Sequence, residues 1–116
     1  MQKPDAARIQ HMLDAARDIL AFTKGKTERG FEKNRMLSFA VTHLIEILGE
    51  AASGLSEELI GAHPEVRWRD IIGMRNRLIH GYHDINLAIV WKTVKEDMPT
   101  LVEQLGKILR EEQKEK

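Results

Sequence analysis

The chain has no cysteine. That absence removes disulfide scaffolds, cysteine nucleophiles and thiolate metal sites together, and it fits a reducing compartment. An excess of charge of one sign is also missing, because 18 Lys and Arg balance 18 Asp and Glu. A non-specific nucleic-acid coat would be basic, so that class is disfavoured; an enzyme that touches RNA at one local basic site is not. No stretch reads as an unbroken apolar run able to cross a bilayer. No apolar segment follows Met1-Gln2-Lys3-Pro4-Asp5 to make a signal peptide. The expectation is a cytoplasmic protein with no membrane partner. Strand-like alternation, internal repeats, low-complexity tracts and a Gly-rich phosphate loop after a strand are missing too. At 116 residues the chain reads as one domain over 1–116, large enough to hold a core without metal or disulfide staples.

What is present is helical punctuation. Pro4 and Asp5 suit a first helical turn, and Ile9, Met12, Leu13, Ala16, Ile19 and Leu20 follow at the spacing of one amphipathic face, with Gly25 as the stop. Thr27 caps a second, longer helix with Leu37, Ala40, Val41, Leu44, Leu48 and Ala51 on its buried stripe, ended by Gly54. Ser56 caps a short third helix through Ile60, and Pro64 opens a fourth that runs to about His80-Gly81. Asn86 caps a fifth that carries Leu87, Val90, Trp91 and Val94, and Asp97 with Pro99 starts a sixth that carries Leu101, Val102, Leu105, Ile108 and Leu109. The polar end, 110–116, reads as a frayed tail. The fold class is all-α: an up-and-down antiparallel bundle of five to six helices.

The fourth helix breaks the pattern. Arg75 lies four residues after Ile71, which places a charge on a stripe expected to face the core. Tyr82 follows seven residues later, about 20° away on an ideal helix, and His80 about 140° away. Gly81 can take a left-handed conformation that ends the helix and lets His80 swing toward Arg75. A permanent cation, a group that titrates near neutral pH and a phenol would then converge, able to clamp a phosphate and move a proton. Spacing alone equally allows Arg75 as a buried partner of Glu46 or Glu50, His80 as a helix C-terminal histidine and Tyr82 as a core ring. Arg67, Arg69, Arg75 and Arg77 form a basic cluster near Trp68 that could steer RNA, or be neutralised in part by Glu65 and Asp70. His11, His43, His63 and His83 make no metal-ligand spacing, and Glu46 with Glu50 lacks partners for one, so no metal or cofactor is read.

The string Arg75-Asn76-Arg77-Leu78-Ile79-His80-Gly81-Tyr82 resembles the R-x4-H-x-Y signature of HEPN domains of the HepT type. Ile47-Leu48-Gly49-Glu50-Ala51 is similar to the I-G-E-A stretch of that family's long helix. Trp68 to Met74 is similar to its W-R-x-I-x-G-M lead-in, and Asn86 to Trp91 to the cap and tryptophan of its next helix. The likeness runs from Arg35 to Leu109.

The resemblance implies a helical homodimer that cleaves RNA without metal, as the toxin of a pair whose antitoxin is a nucleotidyltransferase. It implies that Arg75 and His80 are catalytic, that Asn76 is a polar helper, and that Tyr82 is the site of AMPylation. Arg77 and Arg69 would steer RNA. Two further readings stay open: a non-catalytic nucleotide- or substrate-binding partner subunit of a nucleotidyltransferase, and a structural dimer with no site.

Overall fold

The structure, a computed structural model, describes residues 1–78 and 84–114. These form seven α-helices: α1 (Lys3–Thr23), α2 (Glu28–Lys33), α3 (Arg35–Ser53), α4 (Glu57–Ala62), α5 (Trp68–Leu78), α6 (Leu87–Glu96) and α7 (Met98–Lys114). The all-α expectation holds, with more helices than the five or six expected. α1 packs on both α3 and α7, α3 also packs on α5, α6 packs on α7, and α2 sits between α3 and α6.

Local chemistry sets most boundaries. Gly25 adopts a φ of 73°, the left-handed turn that stops α1. Thr27, Ser56 and Asn86 each accept a backbone N–H three residues on, capping α2, α4 and α6. Thr27 does not open the long helix, however. Asn34 leaves helical geometry (φ −91°, ψ 95°), donates its backbone N–H to the Gly30 carbonyl and accepts the Leu37 N–H on its side chain. One residue therefore closes α2 and opens α3, and a helix read as continuous is two.

The fourth predicted helix is also shorter than expected at its start. The His63 carbonyl accepts the buried Trp68 indole N–H at 2.9 Å and the Val66 N–H at 3.3 Å. Those bonds hold 64–67 as a turn, so α5 begins at Trp68 and not at Pro64. At the other end of the chain, α7 continues to Lys114, past Arg110 where fraying was expected.

The core is one cluster. Ile9, Met12, Ala16 and Ile19 of α1 meet Val41, Ile45, Leu48 and Ala52 of α3, with Met74 and Leu78 of α5, Val90 and Val94 of α6, and Leu105 and Ile108 of α7. By length and mean composition alone α3 is apolar enough to cross a membrane, although His43, Glu46 and Glu50 interrupt it, so it is no unbroken apolar run. Its buried stripe is the middle of this core, and its outer face carries Arg35, His43, Glu46 and Glu50.

Two contacts fix how α3 lies. Asp5, 4% exposed, accepts the Ser56 backbone N–H at 3.0 Å and the Ser56 hydroxyl at 2.6 Å, tying the start of α1 to the chain just beyond α3. Gly49 lies where an added Cβ would stand 3.3 Å from the Ile71 carbonyl oxygen and 3.7 Å from that of Ile72. Absence of a side chain lets the α5 backbone come close there. With Glu46 opposite Arg75, this contact makes α3 and α5 antiparallel.

Candidate functional site

Arg75 does not point into the core. Trp68, Ile71, Met74 and Leu78 are the buried positions of α5. On an ideal helix Arg75 lies about 20° from Trp68 and about 40° from Ile71 but about 100° from Met74, so it falls at the edge of the stripe. Its side chain is 59% exposed, and its Nε stands 3.7 Å from a Glu46 carboxylate oxygen on α3. The ion-pair partner considered from spacing is thus present, at the surface. A half-exposed pair of this kind adds only about 0–1 kcal/mol to stability. Its consequence is orientation: Glu46 meets the guanidinium on the Nε edge, and the structure gives Arg75 no other hydrogen bond or ion pair among the described residues. Among the described residues nothing else engages the remaining donors of the fork, which can hold an anion.

Asn76 is exposed beside Arg75, about 20° from Arg69 two turns upstream, with half-exposed Ile72 between them. Arg69 and Asn76 therefore share one side of α5, with Arg75 about 100° from Asn76 and about 120° from Arg69. Arg77 lies about 160° from Arg75, places a guanidinium nitrogen 3.4 Å from the Asp70 carbonyl, and lines a cavity of about 340 Å³ with Glu65, Asp70, Glu96 and Asp97. Arg67 is on that side too, 4.0 Å from Asp70. Of the basic cluster, Arg67 and Arg77 line that cavity and Arg69 and Arg75 do not. His80 and Tyr82, with Ile79, Gly81 and His83, lie outside the described residues. Among the described residues no group of three His, Asp or Glu side chains is placed to hold a metal ion.

Two features of the site were not read as such from the sequence. Glu46 was weighed only as a buried partner, because Arg75 was placed in the core. Met36 and Phe39, 85% and 53% exposed, stand on the outer face of α3. Helical spacing places both away from Val41, Ile45 and Leu48, and that was the available signal.

Comparison with known proteins gives this arrangement its class. Residues 12–108 match the model of the HepT-like ribonuclease family. The chain belongs to that family. A protein of Methanocaldococcus jannaschii, named by inference as an RNase, is 36% identical over 106 residues, which covers 90% of this chain and 97% of the relative. A protein of Caldanaerobacter subterraneus with the same kind of name is 35% identical, covering 90% and 93%. One of Thermococcus cleftensis, named by inference as ribonuclease HepT, is 32% identical, covering 93% and 98%. No solved structure matches the chain significantly.

Proposed function

We propose that the chain is a metal-independent endoribonuclease, the toxin of a pair whose antitoxin is a nucleotidyltransferase, working in the cytoplasm. The observation that carries this reading is Arg75, 59% exposed beside Glu46 and with no other partner among the described residues, in a chain of the HepT-like ribonuclease family.

In this mechanism the RNA 2′-hydroxyl attacks the adjacent phosphorus. The O2′–P bond forms as the P–O5′ bond breaks, leaving a cyclic phosphate and a 5′-hydroxyl. One base takes the 2′-hydroxyl proton, and one acid returns a proton to the departing O5′. Arg75 holds the non-bridging oxygens and stabilises their growing charge. Histidine is the side chain whose unperturbed pKa suits proton transfer near neutral pH, and His80 takes that role. Asn76 adds a neutral donor next to Arg75 in the chain, and Arg69, less than two turns upstream, adds positive charge that attracts the strand.

Arg75 is 59% exposed in the single chain. A homodimer with Arg75 and His80 of both protomers near the two-fold axis supplies the opposite wall of a cleft. Sedimentation at micromolar concentration is expected to give a dimer; a monomer that still cuts RNA overturns the shared site.

Silencing acts through Tyr82. The partner enzyme transfers AMP from ATP to the phenolic oxygen, releasing pyrophosphate, and the new phosphate competes for Arg75. Co-expression should add AMP units to the intact mass and Tyr82→Phe should remove them; an adduct that persists in Tyr82→Phe refutes this control.

The decisive test of the activity is incubation with single-stranded RNA in excess EDTA. Cleavage should persist, and Arg75→Ala or His80→Ala should slow it by roughly 10²–10³-fold, the cost of removing one charge-stabilising donor. Loss of cleavage on chelation, or full activity in His80→Ala, refutes the mechanism. RNA binding without cleavage by the wild type favours the non-catalytic binding subunit.

A further inference from the structure

The outer face of α3 changes character along its length. Its C-terminal half carries Glu46 and Glu50, and its N-terminal half carries His43, Phe39, Met36 and Arg35. The Arg35 guanidinium carbon lies 5.1 Å from the centre of the Phe39 ring, over its face, while both residues stay exposed. The chain leading into this pair is basic. Residues 24–35 contain Lys24, Lys26, Arg29, Lys33 and Arg35 against Glu28 and Glu32, a net charge of +3 in a chain whose total is zero. None of these five cations has an ion-pair partner among the described residues.

The same face leads to Arg75. Glu46, His43 and Phe39 follow one another at helical spacing, so at 1.5 Å per residue Phe39 stands about 10 Å along α3 from the Arg75–Glu46 pair. A strand that leaves the phosphate clamp over α3 can go two ways. Toward Glu50 it meets further carboxylate. Toward Phe39 it meets an aromatic face, a guanidinium and a cationic segment.

Taking the ribonuclease reading as its basis, we propose that Arg35 and Phe39 form a subsite for the RNA flanking the cut: an unpaired base stacks on Phe39, and its phosphates lie against Arg35 and the cations of 24–35. An aromatic ring beside a basic track is what single-stranded nucleic acid binds without demanding a sequence. Charge favours this occupant over a second copy of the chain. A two-fold contact centred on this patch would set the patch against itself and oppose like charges, whereas a polyanion neutralises them.

The test measures binding apart from cleavage. A fluorescently labelled, unstructured 12-nucleotide RNA, fully 2′-O-methylated so that it has no attacking hydroxyl, is titrated with the full chain by anisotropy. Phe39→Leu, which keeps apolar bulk but removes the ring, should weaken binding about tenfold to a hundredfold, the range typical when base stacking is removed, and Phe39→Trp should restore it. Arg35→Gln should weaken binding and flatten its salt dependence by about 0.7 in log–log slope for each phosphate left without its cation. Unchanged affinity in Phe39→Leu and Arg35→Gln overturns the subsite. So does a weakening in Phe39→Leu that sedimentation traces to dissociation of the protein, since the ring then holds a second copy. Ring-dependent binding in a wild type that fails to cleave unmodified RNA leaves the subsite standing and removes only the nuclease reading.

Discussion

Substitution of Gly49 probes the contact that places Arg75. An alanine Cβ there would sit 3.3 Å from the Ile71 carbonyl oxygen and 3.7 Å from that of Ile72, both backbone atoms of α5 that no rotamer change can move aside. Two effects oppose each other in Gly49→Ala. Helix propensity favours alanine over glycine by about 1 kcal/mol, and overpacking a tight contact costs about 1–3 kcal/mol. The shortfall is a few tenths of an ångström at one atom, so the lower end of that cost applies, and the two should cancel to within about 1 kcal/mol. Gly49→Val adds two more carbons in the same gap and gains little propensity. It should destabilise by ~1–3 kcal/mol, which for a chain of this size lowers the melting temperature by roughly 5–15 °C. Thermal unfolding followed by far-UV circular dichroism measures both. RNA cleavage, assayed well below the lower transition, should fall further in Gly49→Val than the folded fraction does, because α5 is pushed from α3 and carries Arg75 away from Glu46. A Gly49→Val protein that melts with the wild type refutes the close-approach reasoning. One that melts low yet cleaves normally when folded separates the contact from the site.

Glu46→Gln removes the carboxylate 3.7 Å from Arg75 and with it a repulsion felt by any bound phosphate. Stability should change by less than about 1 kcal/mol, while RNA affinity rises about two- to tenfold; weaker binding would mean that orienting Arg75 outweighs the repulsion. Asp5→Ala strips the acceptor from the Ser56 backbone N–H and hydroxyl in a buried place, and should cost about 2–4 kcal/mol in urea denaturation, with Asp5→Asn costing less. A change under about 0.5 kcal/mol in Asp5→Ala would show that water replaces the carboxylate. Trp68→Phe leaves the His63 carbonyl without its 2.9 Å indole donor and should lower stability by about 1–3 kcal/mol at an unchanged denaturant slope; a lower slope would mean that the turn at 64–67 has opened in the native state.

These residues also mark how far the sequence could be read. Gly25, Ser56 and Asn86 were legible because a cap is local chemistry, settled within three or four residues of the backbone it serves. Asn34 was missed for the converse reason. Its cap geometry is equally local, yet apolar positions continue on both sides, and periodicity carried a single helix through the break. Asp5 was read as a complement to its own helix end. Its second role depends on Ser56, 51 residues away, which no pattern within a helix reveals. Arg75 is misplaced by its spacing: one interval of four from Ile71 points to the core, whereas the structure leaves its side chain 59% exposed at the edge of the stripe. The open face of α3 was legible only as spacing: Phe39 and Met36 fall opposite Val41, Ile45 and Leu48, but nothing local to an apolar side chain marks it as exposed.

Asn34 has a consequence beyond the helices it separates. Since one residue closes α2 and opens α3, those helices share no slack linker, and Arg29, Lys33 and Arg35 are carried on a backbone whose direction is set before anything binds. A flexible basic arm of similar charge would have to surrender its conformational freedom on meeting a ligand, at about 1–2 kcal/mol for each residue ordered. Here that entropy is given up on folding. The cations meet their ligand from a fixed shelf, and association should be rapid and insensitive to the rigidity of the incoming strand.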